Sequence, residues 1–346
     1  MPQASVYDSS ILQGIEDLIR SVGGDPDTFQ GRMISELLQT SLKLIPDGHD
    51  TGQLKLLNSS LKEMRYAYQV FNKYKGKRKI AIFGSARTPE DHPDYLAAVA
   101  FSEAIARQGW MSITGAGDGI MKAGHEGSQR EASFGLSIRL PFETTANEVI
   151  EGDPKLISFR YFFTRKLMFL SHSDAIAIFP GGFGTQDETF EALTLVQTGK
   201  SNIVPIVLIE SDQSEYWDYW NNYVRKNLLD RKMINDEDTS IFYIAPSIDA
   251  AVEHVLKFYR VYHSSRYVGD QLVLRLNRKV SESQLAMLND EFPLIVKTGC
   301  IAQCDSLKGE EDHLDLPRLS FHHTRNHFGL VRTLIDRINE FVFDAA

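Results

Sequence analysis

The chain has 346 residues, of which 42% are hydrophobic, and carries 37 Lys and Arg against 46 Asp and Glu, a net charge of −9. This length suits one large α/β domain with extensions, or two domains. The acidic balance argues against general nucleic-acid or anionic-membrane binding, and no apolar run reaches the roughly 18 residues that a membrane span needs. A secretory signal is not apparent at the N-terminus, and two cysteines make no disulfide framework, so we expect a cytoplasmic protein.

Residues 1–76 predict a helical extension. A short helix within 1–28 precedes two helical patterns, with apolar side chains from Phe29 to Leu42 and from Leu54 to Phe71. The turn Pro46-Asp47-Gly48 separates them. We expect these helices to pack on the core or on another subunit.

Residues 77–264 alternate between strand and helix patterns. Strands are predicted over 79–83, 110–114, 134–140, 156–159, 175–179 and 203–209. Helices are predicted over 93–108, 120–131, 162–172, 216–229 and 250–262, with another opened by the run 180–191. Repeated βα units predict a Rossmann-like, doubly wound α/β fold, in which a parallel sheet has helices on both faces. Ligands bind such folds beyond the carboxyl ends of the strands.

Residues 265–346 predict a small α+β module with a βαββα order. Its strands are expected over 271–276, 295–302 and 316–321, and its helices over 281–288 and 328–341. Ser281 is a plausible cap for the first of these helices.

The most informative segment runs from Pro180 to Glu191 and reads P-G-G-F-G-T-Q-D-E-T-F-E. A glycine turn from a strand into a helix offers backbone N–H groups and the positive end of the helix dipole to a phosphate. We expect Glu188 and Glu191 in the first helical turn, on one face. A plain turn capped by Thr185, with Asp187 and Glu188 near the dipole, would leave three glycines and Glu191 unexplained. The segment therefore favours chemistry on a phosphorylated sugar.

Two further glycine turns should meet this one at the same sheet edge. Gly115-Ala116-Gly117-Asp118-Gly119 follows a strand with G-x-G-x-G spacing, which only loosely resembles a dinucleotide fingerprint, and Gly84-Ser85 follows another strand. Absence of a Walker run argues against a Walker-type nucleotide hydrolase. Arg165 and Lys166 lie in an otherwise apolar predicted helix. They could form a solvated basic edge of that helix, or the planar guanidinium of Arg165 could bind phosphate or ribose oxygens.

Three other groups carry less information. Cys300 and Cys304 are expected to be isolated core thiols, because a metal site needs about four ligands. The histidines His313, His322, His323 and His327 cluster, but no carboxylate pattern accompanies them, so we do not expect a metal site there. The basic run Lys75-Gly76-Lys77-Arg78-Lys79 is interpreted as a solvated loop.

Pro180 through Glu188 matches the hallmark P-G-G-x-G-T-x-x-E of the Lonely Guy (LOG) family, often mislabelled "lysine decarboxylase". Arg165-Lys166 resembles the preceding R-K pair of that family, and the stretches 115–121, 135–143 and 190–199 are also similar, so the resemblance spans about 78–262. It implies hydrolysis of the N-glycosidic bond of nucleoside 5′-monophosphates, AMP or N6-modified cytokinin nucleotides among them, to free base and ribose 5-phosphate. It also implies a homodimer or higher oligomer, and neither metal nor cofactor.

In that reaction Glu188 would stabilise an oxocarbenium-like state or orient water, and Arg165 would position the substrate. Asp187 is a guess for the proton donor to the leaving base. The other candidate binding residues are Gly84, Ser85, Gly115, Gly117, Lys166, Gly181, Gly182, Gly184, Thr185 and Glu191.

Other functions fit the same turns. Lysine decarboxylation needs pyridoxal phosphate on a Schiff-base lysine, and no motif supplies that set. A non-catalytic nucleotide sensor with a regulatory C-terminal module would use the same glycines. So would a carrier of a phosphorylated cofactor such as molybdenum cofactor, which would not need the Arg165–Glu188 pair.

Overall fold

The computed structural model describes residues 8–139 and 146–343. The chain divides into two compact units, Met1–Arg65 and Tyr66–Ala346. The first unit holds α1 (Ser9–Ser21), α2 (Phe29–Lys43) and most of α3 (Thr51–Phe71). The Thr28 side chain caps α2 by accepting the N–H of Gly31, as expected for an N-cap threonine. The domain limits expected at residues 76 and 264 stay predictions.

Seven parallel strands form the sheet of the second unit. They are β1 (Lys79–Phe83), β2 (Met111–Thr114), β3 (Ser133–Ile138), β4 (Leu156–Phe159), β5 (Ala175–Ile178), β6 (Ile206–Leu208) and β7 (Phe242–Ile244). Their order is β4-β3-β2-β1-β5-β6-β7. The chain builds outward from β1 to β4 and then returns to the other side of β1, so β1 and β5 flank the topological switch point, where such folds bind ligands. The predicted Rossmann-like fold class is confirmed, although β7 was not predicted.

Helices cover the sheet. They are α4 (Pro93–Arg107), α5 (Ile120–Ser128), α6 (Phe162–Ser171), α7 (Phe183–Gln197), α8 (Tyr216–Tyr223) and α9 (Ile248–Phe258), and α8 continues as a π-helical turn over Val224–Leu229. Every residue of β1 is buried, as expected for a central parallel strand. Ile80 and Ile82 of β1 share one core cluster with Phe101 of α4 and Val255 of α9. This core fixes the strand ends from which the site turns emerge.

The C-terminal part of the same unit is a ββαββα module. It contains β8 (Tyr262–Val268), β9 (Gln271–Leu276), α10 (Glu282–Glu291), β10 (Val296–Cys304), β11 (Arg318–His323) and α11 (Phe328–Glu340). Its antiparallel sheet has the order β10-β11-β9-β8. The predicted helix over 250–262 was too long, because α9 ends at Phe258 and Tyr262 already begins β8. Ser281 does cap α10, in a capping box with Gln284.

Several smaller expectations change. Lys79 is buried rather than solvated, and its Nζ donates to the carbonyls of Tyr74 and Lys77. Cys300 is exposed and Cys304 half-buried, so neither is a core thiol. In the described ranges no cluster of His, Cys, Asp and Glu could hold a metal ion, and no helix has the length and apolarity to cross a membrane. Residues 140–143 of the predicted third strand and family-like stretch lie outside the described residues.

Candidate active site

The carboxyl ends of β1, β2 and β5 open into a cleft of about 790 Å³. Because these strands are neighbours in the order β2-β1-β5, the turns that follow them meet at one edge of the sheet. The lining includes every predicted site residue except Gly117, Lys166 and Glu191: Gly84, Ser85, Gly115, Arg165, Gly181, Gly182, Gly184, Thr185, Asp187 and Glu188. The cleft also contains Arg87, Phe162 and Phe183, which the sequence did not single out.

The start of α7 has the geometry of an anion-binding site. The N–H of Gln186 makes the first bond within the helix, to Gly182 O at 3.0 Å, so the N–H groups of residues 183–185 point out of the helix start. Apart from adjacent residues and the nearby backbone of α7, no described atom lies within 4 Å of a Cβ placed on Gly182 or Gly184, so a ligand can approach the backbone closely. A helix N-terminus with room in front of it is a ready phosphate site.

α7 begins earlier than the sequence suggested, and this moves the acids. Gly182 is the N-cap residue and Phe183 the first helical residue. Glu188 therefore lies in the second turn and Glu191 in the third; the first turn of α7, which is fully described, contains no acid. Thr185 is a buried residue inside the helix and not its cap. The acids still share a face, because they are three residues apart.

A hydrogen-bond chain holds the Pro-Gly-Gly turn in place. The Tyr216 hydroxyl donates to Gly181 O at 2.6 Å and accepts from Gln186 Nε2 at 2.6 Å. Trp220 Nε1 in turn donates to Gln186 Oε1 at 2.9 Å. A side chain on Gly181 would collide with Thr185 Oγ1, so only glycine allows the turn to pack on the helix. Ser85 N–H donates to Pro180 O at 3.1 Å and ties the β1 turn to the same structure.

A second buried network holds the turn after β2. His125 is fully buried, with Nε2 2.9 Å from Thr114 Oγ1 and Nδ1 3.2 Å from Asn147 Oδ1. Asn147 Nδ2 donates to Gly117 O, and Asn147 N–H donates to Ala116 O at 2.8 Å. Burial lowers the pKa of His125, so the ring is neutral at pH 7. The network holds the carbonyls of Ala116 and Gly117 in place, and Gly117 itself is not among the residues that line the cleft.

Arg165 crosses from α6 to the β2 turn. Its Nε donates to Leu136 O at 2.7 Å, and its guanidinium lies 5.3 Å from the centre of the Phe169 ring. A Cβ on Gly115 would collide with Arg165 Nη2, so this glycine makes room for the guanidinium. The cation is thereby fixed in the wall of the cleft that also contains the start of α7.

Lys166 is surrounded by the three acids of α7. Its Nζ lies 2.5 Å from Asp187 Oδ2, 2.8 Å from Glu191 Oε2 and 3.4 Å from Glu188 Oε2. Burial lowers the pKa of Lys166, but hydrogen bonds to Asp187 and Glu191 raise it overall, so the ammonium stays charged. Lys166 and Glu191 are not among the residues that line this cleft and form an ion pair with each other, so their predicted part in substrate binding stays a prediction.

Glu188 is the buried acid of the cleft. Its side chain is 15% exposed. Burial raises the pKa of Glu188 and outweighs the opposing charges of Lys166 and Arg165, while the charges of Glu191 and Asp187 add to the rise. A carboxyl group whose pKa is moved toward neutrality inside a cleft is typical of acid–base or electrostatic catalysis.

The positioning residues were missed by sequence reasoning. Tyr216 lies 35 residues from its partner Gly181, and Asn147 lies 22 residues from His125. Only a polar His within an apolar helix pattern, and a Gln inside the Pro-Gly-Gly run, hinted at these networks.

Comparison with known proteins supports the family. Residues 113–255 match the family model described as "Possible lysine decarboxylase", which confirms the resemblance over that segment. No curated protein matches the chain. A molybdenum cofactor carrier protein from Chlamydomonas reinhardtii is a similar solved structure, with 18% identity, a TM-score of 0.38, and 52% of this chain and 97% of that chain covered. The protein TM1055 is another, with 22% identity, a TM-score of 0.37, and coverage of 52% and 99%. DNA processing protein A from Helicobacter pylori is a third, with 15% identity, a TM-score of 0.38, and coverage of 52% and 80%.

Proposed function

We propose that the protein hydrolyses the N-glycosidic bond of nucleoside 5′-monophosphates to free base and ribose 5-phosphate. One observation carries the proposal: the open start of α7, the guanidinium of Arg165 and the buried carboxyl of Glu188 line a single cleft. An anion seat beside a buried acid suits a phosphorylated sugar whose anomeric carbon becomes cationic in the transition state.

The 5′-phosphate would bind at the start of α7. The N–H groups of residues 183–185 point toward it, and the helix dipole favours negative charge there. Arg87, at the end of the β1 turn, lines the same cleft and is placed to contribute a second cation. These contacts are made equally in substrate and product, so they hold the substrate and do not themselves break the bond.

Glu188 would act on the ribose carbon. Cleavage of the C1′–N bond leaves positive charge on C1′, and a desolvated carboxylate stabilises that charge more strongly than water would. The same carboxylate can orient the attacking water, whose oxygen bonds to C1′ while a proton goes to the departing base. Arg165, fixed by Leu136 O and the Phe169 ring, would hold a phosphate or ribose oxygen in register with this step.

Asp187 is a weak candidate for the proton donor. Its Oδ2 lies 2.5 Å from Lys166 Nζ, so the structure engages it in an ion pair. The proton that the departing base gains is better supplied by the attacking water that the Glu188 carboxylate orients.

We further propose that the protein works as a cytoplasmic homodimer or higher oligomer. Phe162 on α6 and Phe183 on α7 line the cleft and are exposed, Phe183 to 99%, and Phe163 and Leu167 are also exposed on α6. Clustered exposed aromatic side chains are typical of surfaces that another protein covers. A second copy of the chain would then help to close the cleft.

The test is product analysis with purified protein. AMP, GMP, CMP, UMP and N6-isopentenyl-AMP are incubated with wild type, Glu188→Gln, Arg165→Ala and the control Glu253→Gln, whose side chain is exposed on α9. We expect free base and ribose 5-phosphate from wild type and control, with losses of at least about a hundredfold in the two site variants. Tight nucleotide binding without base release would refute the enzyme and leave the sensor or phosphorylated-cofactor carrier.

A further inference from the structure

A second cavity of about 720 Å³ lies between the Rossmann-like domain and the C-terminal module, within the second unit. Its walls come from α6, α7 and residues 199–204 on one side, and from β8, β9 and α11 on the other. Most of the lining is apolar and includes Leu167, Leu170, Leu195, Leu272, Phe328 and Val331. A cavity of this size and character is in the range that proteins use for small molecules.

The charges in this cavity are unbalanced. Its Lys, Arg, Asp and Glu residues are Lys166, Lys200, Arg266 and Glu191. Lys166 and Glu191 pair with each other at 2.8 Å. Across residues 8–139 and 146–343, no hydrogen bond or ion pair engages the side chains of Lys200 and Arg266. Lys200 is exposed and Arg266 half-buried, so a ligand that enters the cavity can reach both cations.

We propose that this cavity binds a small amphipathic anion, with a carboxylate, sulfonate or phosphate group at Lys200 and Arg266 and an apolar body against the leucines and Phe328. The charge of the ligand follows from the two cations, because an anion can pair with both of them whereas a cation would be repelled. The apolar body follows from the lining. A small molecule suits a cavity of about 720 Å³ better than a macromolecule does.

A ligand in the cavity should change the protonation of Glu188 in the cleft, and this step rests on the proposed function. Lys166 lines the cavity, and its Nζ lies 3.4 Å from Glu188 Oε2 in the cleft. An anion in the cavity would attract the ammonium group of Lys166 and weaken the ion pair between Lys166 and Glu188. Burial raises the pKa of Glu188 and Lys166 opposes that rise, so a weakened contact leaves Glu188 more protonated. We therefore expect the cavity ligand to lower turnover.

The same structure offers a mechanical connection. α7 carries the cleft acids, and the Gly199 turn at its end packs directly against the Phe328 ring at the start of α11. A ligand in the cavity, which residues of both α7 and α11 line, therefore contacts both the C-terminal module and the helix that carries the cleft acids.

The binding test uses 8-anilinonaphthalene-1-sulfonate, a fluorescent amphipathic anion. Wild type is titrated beside Lys200→Ala/Arg266→Ala and the control Lys226→Ala, whose side chain is exposed outside the cavity. We expect the double variant to bind about tenfold more weakly, because the two lost ion contacts are partly exposed to solvent, and the control to bind like wild type. Equal affinity in all three proteins would place the dye elsewhere and overturn the proposal.

The functional arm measures nucleotide hydrolysis with and without the dye. We expect a lower kcat with little change in KM in wild type, and no such effect in the double variant. A rise in KM alone would mean competition in the cleft and would contradict coupling through Lys166. A wild type that binds the dye at Lys200 and Arg266 but releases no base would refute the proposed function while supporting the second site.

Discussion

Removal of the Tyr216 hydroxyl tests whether the Pro-Gly-Gly turn must be held in position. Tyr216→Phe deletes one donor bond to Gly181 O and one acceptor bond from Gln186 Nε2, both of 2.6 Å. A neutral hydrogen bond contributes about 0.5–1.5 kcal/mol, and the site is half-buried, so we expect a loss of about 1–2 kcal/mol in the free energy of unfolding. Phenylalanine keeps the packing of the ring, so the change isolates the hydroxyl.

The same substitution should weaken phosphate binding. A turn free to move by a fraction of an ångström no longer presents the N–H groups of α7 in one geometry, and about 1.4 kcal/mol of lost interaction is tenfold in kcat/KM. The assay is urea unfolding together with steady-state hydrolysis of AMP. Tyr219→Phe is the matched control, because Tyr219 lies on the same helix, is 70% exposed, and bonds only Glu215, at 3.2 Å. Identical urea midpoints and KM values for the two variants would refute the positioning role.

Three further substitutions have predicted outcomes. Glu188→Gln should abolish hydrolysis yet raise the melting temperature at pH 7, because burial raises the pKa of Glu188 and so makes its ionised form unfavourable in the folded protein. This gain in melting temperature should disappear well below pH 4.5, where the carboxyl group is neutral in both the folded and the unfolded protein. A lower melting temperature at pH 7 would contradict the prediction. Burial opposes ionisation of Glu310, but a backbone N–H and two arginines hold its pKa at about 2 against 4.5. Glu310→Gln should therefore cost about 3 kcal/mol in urea unfolding at neutral pH, and the difference from wild type should shrink as pH falls from 4.5 toward 2. Gly199→Ala should destabilise the fold by about 1–3 kcal/mol more than Gly269→Ala. Both glycines have positive φ, but only the Cβ at Gly199 would collide with Phe328. Equal urea midpoints for the two variants would refute this packing contact.

The cleft could be predicted from the sequence because parallel strands impose it. Each glycine turn was expected to follow a strand, and the carboxyl ends of parallel strands meet at one edge. The order β2-β1-β5 then places Gly115, Gly84 and Gly181 around one space. The position of the acids was less accurate, because the helix start depends on the backbone of Gly182, where glycine allows several conformations.

The parts that were missed depend on contacts between distant residues. The hydroxyl of Tyr216 and the ring of His125 have partners that local periodicity does not reveal. β8 was missed for another reason: its sequence, YHSSRYV, lacks apolar alternation, and the apolar residues before it extend the helical pattern of α9. The second cavity needs both α7 and the C-terminal module, so no single segment of the sequence could indicate it.

The charge distribution of the cleft orients the proposed substrate. Asp187, Glu188 and Glu191 carry three negative charges near Lys166, so even with this cation and Arg165 the cluster has one excess negative charge. A phosphate would be repelled there and attracted to the start of α7, where the helix dipole and open N–H groups favour an anion. The ribose carbon, which becomes positive in the transition state, would then face Glu188. In the proposed reaction one helix would thus provide both ends of the required polarity: its first turn would bind the anion, and the acid in its second turn would stabilise the cation.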